Sequence, residues 1–211
     1  MSTFPGSPRT LKGGIASIDP LNPLPKVIVF QYNPETMTRT LTSRIASNEK
    51  HESTKISLPP EETISLKIEL DATDRLEKAD DTAVSLGIHP QLAALETLIY
   101  PMSVDAIAKD TLLLAGTIEL LPKISPLTVF IWGVKRIVPV QIKSMSIDEQ
   151  AYDVNLNPIR SEVSLEMQVL SYSDLKLSSV GGTMFMGHQI AKELMAAMNI
   201  VNGLSGLGVT L

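Results

Sequence analysis

Few residues in this chain could do covalent or metal chemistry. There is no cysteine, and the three histidines, His51, His89 and His188, lie far apart in the sequence. Without thiols, disulfide frameworks, thiolate zinc sites and cysteine nucleophiles fall away, and three scattered imidazoles do not outline a metal centre. A serine hydrolase needs G-x-S-x-G on a strand-to-helix elbow, whereas Gly203-Leu204-Ser205-Gly206 lacks that spacing and follows a helical stretch. Gly203, Gly206 and Gly208 fail as a dinucleotide fingerprint because no strand precedes them and no helix follows. Asp71-Ala72-Thr73-Asp74 begins like a calcium loop, yet the Gly and distal Glu are missing at their offsets. Asp148 and Glu149 are neighbours on an extended segment, point to opposite faces and so cannot share a proton. His89 sits before Pro90 at a helix start, a capping or turn position. His188 lies in a Met-rich helix as a packed or surface residue, and Trp132, the single tryptophan, is a core anchor. The expectation is a protein that is not an enzyme and holds no cofactor or metal.

Charge narrows the partners. Between Glu61 and Asp81 lie eight acidic residues against three basic ones, which accounts for the whole formal charge of −5. A solvated acidic face is the simplest reading. No Lys/Arg stripe is present to neutralise a phosphate backbone, and aromatics at 4% leave few stacking platforms, so nucleic acid is not expected as a partner. The opening residues carry no charged stretch followed by an apolar one, and no run reaches the roughly 18 apolar residues of a membrane span. Direct membrane insertion is not expected, and the location expected is the cytoplasm.

These features need elements to position them, and the elements read mainly as strands. Pro and Gly crowd residues 1–25, which argues for an extended N-terminal arm. Val27 to Phe30 and Thr36 to Ile45, separated by the turn signal Asn33-Pro34, look like neighbouring strands. Ile64, Leu66, Ile68 and Leu70 alternate with Ser65, Lys67 and Glu69. Val163, Leu165, Met167 and Val169 alternate likewise with Glu162, Ser164, Glu166 and Gln168, so both segments read as strands wet on one side. Leu127 to Trp132 is apolar enough for burial on both faces. In Arg136 to Ile147, Val138, Val140 and Ile142 share a parity that Met145 and Ile147 break, which places a bulge near Lys143-Ser144. A short helix is expected over Gln91 to Tyr100, another from an N-cap Ser103 to before Gly116, and a third from Met184 to about Val201 after a Gly181-Gly182 hinge. Six or so strands with bends give an α+β, mainly β, barrel or sandwich with short helices and a C-terminal amphipathic helix.

Two long stretches then become informative together. FQYNPETMTRTL (Phe30 to Leu41) and the segment from Phe130 to Leu175, FIWGVKRIVPVQIKSMSIDEQAYDVNLNPIRSEVSLEMQVLSYSDL, resemble the tube-like domain of contractile injection system proteins, relatives of phage tail-tube proteins. The resemblance runs from about Lys26 to Leu175 and includes HPQLAALETLIYP (His89 to Pro101) in the corresponding place. It implies a tail-tube-like domain over 26–175 between the 1–25 arm and a 176–211 hinge, helix and tail. It implies also a sixfold ring, a homohexamer, that links the baseplate spike to the inner tube of a phage tail-like particle. The expected partners are the chain itself, the inner-tube protein, and spike and baseplate proteins. Many members carry a LysM module after this domain. No such pattern follows Leu175 here, so peptidoglycan binding is not implied.

Candidate surfaces follow. Tyr32, Asn33 and Pro34, with Asn155, Asn157 and Pro158, lie in the motif turns and are candidate protein-interface residues. Met186, Ile190, Leu194 and Met198 form a helical apolar stripe expected to dock on a neighbouring subunit or baseplate partner. Ser65, Lys67 and Glu69, with Glu162, Ser164, Glu166 and Gln168, are expected to line a lumen or a subunit seam. A reading from a different class is a small cytoplasmic β-domain that binds a ligand, or modulates a partner, through its acidic segment.

Overall fold

The computed structural model describes the backbone of residues 11–19, 22–44, 58–100, 103, 107, 110 and 126–206, and the side chains of all of these except 22–25 and 200–206. The strands are β1 (Gly14–Asp19), β2 (Asn22–Val29), β3 (Met37–Thr42), β4 (Glu61–Asp71), β5 (Leu127–Ile131), β6 (Ile137–Tyr152) and β7 (Pro158–Val169). They form one antiparallel sheet in the order β2-β1-β5-β6-β7-β4-β3. Three short helices, α1 (Thr73–Glu77), α2 (Asp81–Leu86) and α3 (His89–Glu96), follow β4, and α4 (Val180–Gly206) follows β7. The class is α+β, mainly β.

The sheet is rolled. Strands sit about 4.8 Å apart, so β1 and β4 in a flat sheet of this order would lie roughly 20 Å apart. Ile15 of β1, Phe30 just past β2 and Ile64, Leu66, Ile68 and Leu70 of β4 nevertheless share one buried cluster with Phe130, Val163 and Leu165. Leu92 and Leu95 of α3 and Phe185 of α4 complete that cluster. One device of the roll is the bulge at Lys143, where the β6–β7 register slips between Ile142 and Ser144. The parity switch places it there. Without the slip, Met145 and Ile147 would leave the core face.

No ladder joins the two outermost strands, β2 and β3. Past Leu66, β4 extends beyond its pairing with β3, and a side chain spans this opening. The Gln31 carboxamide donates to Asp71 O at 2.7 Å and accepts from Asp71 N at 3.0 Å, reproducing both hydrogen bonds of a strand neighbour.

Several expectations change. Residues 14–19 and 22–25 are not an arm: they belong to β1 and β2, and β1 is paired on both sides, by β2 and β5, so the sheet begins at Gly14. The cause is close packing. A Cβ on Gly13 would stand 2.5 Å from the Trp132 ring, which stacks on Phe130 at 6.0 Å, so glycine lets the backbone approach that core anchor. The Val27–Phe30 and Thr36–Ile45 runs are not neighbours, because β2 and β3 occupy opposite edges. Asn33 explains the divergence: its Oδ1 accepts from Gly13 N at 2.9 Å and its Nδ2 donates to Leu11 O at 2.8 Å, tying the connector to the chain before β1. Gly181 and Gly182 are buried in the first turn of α4 and do not form a hinge. Ser179 caps that turn by accepting from Gly182 N, and a Cβ on Gly182 would meet Lys176 O at 2.3 Å. α4 accordingly starts earlier than Met184 and runs past Val201 to Gly206. α3 spans His89–Glu96, tightening into i→i+3 bonds at Leu98 and Ile99 before Tyr100. The helix expected from Ser103 lies, apart from Ser103, Ile107 and Asp110, outside the described residues.

Candidate assembly surfaces

Alternation along β4 and β7 sends their apolar residues inward and leaves a polar outer face. Ser65, Lys67 and Glu69 are exposed, as is Glu166, while Glu162 and Ser164 are half-buried. Gln168 departs from the expected wet face: between Thr63 and Gln141 in the ladder it is buried. Beyond β4, Thr38 and Thr40 of β3 continue this face. Beyond β7, Gln141, Ser144, Ser146 and Asp148 of β6 do so. From Thr63 to Glu69 and from Glu162 to Gln168, every outward side chain is a hydroxyl, an amide or a charge.

Its electrostatics are organised in rows across the strands. Glu69, Glu162 and Asp148 stand directly opposite one another on β4, β7 and β6, a repulsive arrangement on a sheet. Lys67 offsets it by donating to Glu162 Oε1 at 2.6 Å. That bond, with the charges of Glu162 and then Asp148, holds the ammonium above its ordinary pKa. One row away Ser144 Oγ donates to Glu166 Oε2 at 3.0 Å. The face is hydrated, net acidic and without an apolar foothold.

Edge β2 is different. Pro23 and Pro25 remove two backbone donors from its first half, while Val27 and Val29 in its second half are exposed. Between β2, β4 and α3 lies a groove of about 250 Å³, lined by residues including Val27, Val29, Leu70, Ala94 and Leu95.

The motif turns prove mainly structural. Asp153 accepts from Asn155 N at 2.7 Å and Asn157 N at 2.8 Å, and Asn157 Nδ2 donates to Asp153 Oδ2 and to Ser85 O. These bonds to Asn157, with the nearby charge of His89 at the start of α3, hold the Asp153 carboxyl below its ordinary range. Pro158 is buried, and its carbonyl accepts from Ile88 N at 2.9 Å. Asn157, half-buried, and Pro158, buried, thus dock the α2–α3 turn. Asn155 is exposed, as are Tyr32 and Asn33, and Pro34 is half-buried. What the motif reading missed is the apolar hairpin tip: Tyr152 is half exposed, Leu156 more so, and Val154 is 98% exposed.

The C-terminal stripe is divided. Phe185 enters the core against Tyr172, Met186 packs on it, and α4 lies against β6. Lys192 Nζ reaches Glu62 Oε2 at 3.3 Å. Glu62 is buried at the start of β4 and also takes Nε of Arg39 at 2.8 Å and its Nη2. Burial alone would raise its pKa, but Arg39 and Lys192 outweigh it and hold the carboxyl below its ordinary value. His188, half-buried beside Lys192 and Arg136, is pushed down and stays neutral at neutral pH. From Ile190 onward the apolar stripe is open: Ile190, Leu194 and Met198 are 52%, 60% and 68% exposed.

Asp71 accepts from Thr73 N and Asp80 caps α2 at Ala83 N. Of the acids from Glu61 to Asp81, Glu62 is internal and Asp71 half-buried, and the other six are exposed. Among the described residues, no group of three or more acids and histidines is placed to hold a metal ion, and no helix is long and apolar enough to cross a membrane. No protein-family model matches the chain, and no curated protein matches it.

Proposed function

We propose that this chain is a structural subunit of a contractile injection system, forming a hexameric ring that joins the baseplate spike to the inner tube. The observation that carries the proposal is the polar outer face shared by β3, β4, β7 and β6. A solvated sheet face is ordinarily polar; this one spans four strands that curve together and meets the demand of a conduit wall, past which cargo must slide without sticking. The sheet's unlike edges, β2 and β3, supply a head-to-tail contact of the kind that closes rings. The resemblance of Phe30–Leu41 and Phe130–Leu175 to tube-like domains supplies the sixfold count, the partners and the phage tail-like particle. In this role the chain assembles and does not catalyse.

The ligand-binding alternative has less support. The groove beside β2 is smaller than the roughly 300–1,000 Å³ of small-molecule sites, and two larger hollows, of about 420 and 690 Å³, both open around Lys67 on the polar face proposed as the conduit wall. Native mass spectrometry and electron microscopy of the chain, alone and mixed with its cognate tube and spike proteins, test the proposal. Six-membered rings capped by tube are expected. A monomer that joins neither partner would overturn the reading.

A further inference from the structure

Two surfaces of this chain are apolar, exposed and without charge, and they do not meet within one molecule. One is the face of α4 that carries Ile190, Leu194 and Met198. From Leu194 to Gly206 the sequence has no charged residue, and Ile190, Leu194 and Met198 repeat at i, i+4 and i+8 on one exposed face. The other is the groove beside β2, where no charged side chain is among the lining residues and Val27 and Val29 stand exposed at the rim. Lys192 holds α4 to Glu62 at the start of β4, whereas the groove opens against Ile68 and Leu70 near its other end. Six residues of strand, about 20 Å, separate those positions.

We infer that the exposed apolar face of α4 docks into the β2–α3 groove of a second copy of this chain. The inference deepens the ring reading and rests on it. Helix-in-groove recognition places i, i+4 anchors into an apolar cleft, and about 250 Å³ suits one or two such side chains better than a free ligand. The absence of charge on both sides means that neither surface strands an ion when covered, whereas an acidic or basic partner would bury an unpaired charge. Donor and acceptor surfaces differ, so each copy gives its helix to one neighbour and receives one from the other, the heterologous contact that propagates around a ring. Methionine, with its unbranched thioether, adapts to an irregular cleft.

Because the chain has no cysteine, single-cysteine variants of the full chain report the contact cleanly. Leu194→Cys and Val29→Cys proteins are mixed and oxidised under assembly conditions, with Val134→Cys, exposed on the β5–β6 turn, replacing Val29→Cys as control. Mixed disulfide dimers from the first pair, at least tenfold above the control, are expected, and the double variant Leu194→Cys/Val29→Cys should give a ladder ending at the ring. Rings that form normally without the Leu194–Val29 cross-link, or with Leu194→Cys joined only to itself, would overturn the helix exchange and leave the ring reading standing. A chain that stays monomeric with tube and spike present, and gives no cross-link, would overturn both.

Discussion

Glu62 is the residue on which α4 and edge strand β3 are both pinned, and its environment makes the domain sensitive to acid. Its carboxyl is held below the ordinary 4.5, so the folded state binds that proton less readily than the unfolded one. The stabilisation is complete above about pH 4.5 and is lost as pH falls through the folded pKa. Glu62→Gln should therefore cost about 1.5–3 kcal/mol at neutral pH. Denaturant melts at pH 7 and pH 3.5 should show the gap between wild type and variant narrowing in acid; a constant gap would mean that the ion pairs contribute nothing. Ser161 is the converse case. Its buried Oγ finds no hydrogen-bond partner among the described residues, so Ser161→Ala should raise stability by about 1 kcal/mol, read as a higher urea midpoint at unchanged slope. No sequence signal marks either residue. Glu62 follows the inward parity of Ile64 and Leu66, but only the meeting with Arg39 and Lys192, far away in the chain, makes an internal carboxylate tolerable.

At the scale of elements, what the sequence made legible was periodic. The alternation of β4 and β7, and even the slip at Lys143, can be read from residues two apart. Deleting Lys143 removes the extra residue, so Ile142 and Ser144 become ladder neighbours, Met145 and Ile147 stay on the core face and only the bend is lost; the variant should stay soluble and unfold cooperatively at a lower Tm. A variant with a wild-type melt would show that the roll of the sheet does not depend on the bulge. Sequence reading failed where long-range packing chose the partner. Val27–Phe30 has a turn signal after it but no hairpin, because Asn33 is recruited by Gly13 and Leu11. The Gly181-Gly182 pair looks like a hinge and is a close contact, since the void a side chain would need is filled by Lys176 O. Gly182→Ala should destabilise the chain by about 1–3 kcal/mol, seen as a lower Tm; a hinge would leave Tm unchanged.

For the whole molecule, the division of α4 decides where the chain can be cut. Removing residues from Thr183 onward takes Phe185 out of the core and should unfold the domain. Removing 193–211 leaves Phe185, Met186 and Lys192 in place, so the shortened chain should melt within a few degrees of the full one and fail to associate. Analytical ultracentrifugation checks this, and a shortened chain that still forms rings would assign closure to the sheet edges alone. Of the candidate surfaces, the wet faces of β4 and β7 were legible because strand parity is local. The hairpin tip at Val154 was not, since nothing in Tyr152-Asp153-Val154-Asn155-Leu156 distinguishes a protruding turn from a covered one.

The strand order carries one further consequence, for the time course of folding. β1 and β2 pair with each other, and β3 pairs with β4, within the first 71 residues. Yet the ladder between the two pairs runs through β5, β6 and β7, which begin at Leu127 and end at Val169. At about 5–20 residues per second, a ribosome needs roughly 5–20 s to make the intervening hundred residues. During that interval the two pairs have only the part of the core they supply themselves and the Gln31–Asp71 bridge, with the apolar faces that β5–β7 cover left open. The late β6–β7 hairpin then wedges between them, a pairing of high sequence separation and correspondingly slow closure. Synthesis in the cell thus passes through a vulnerable stage that ends only when β7 emerges, and a chain stalled before Pro158 is a candidate for chaperone capture or aggregation.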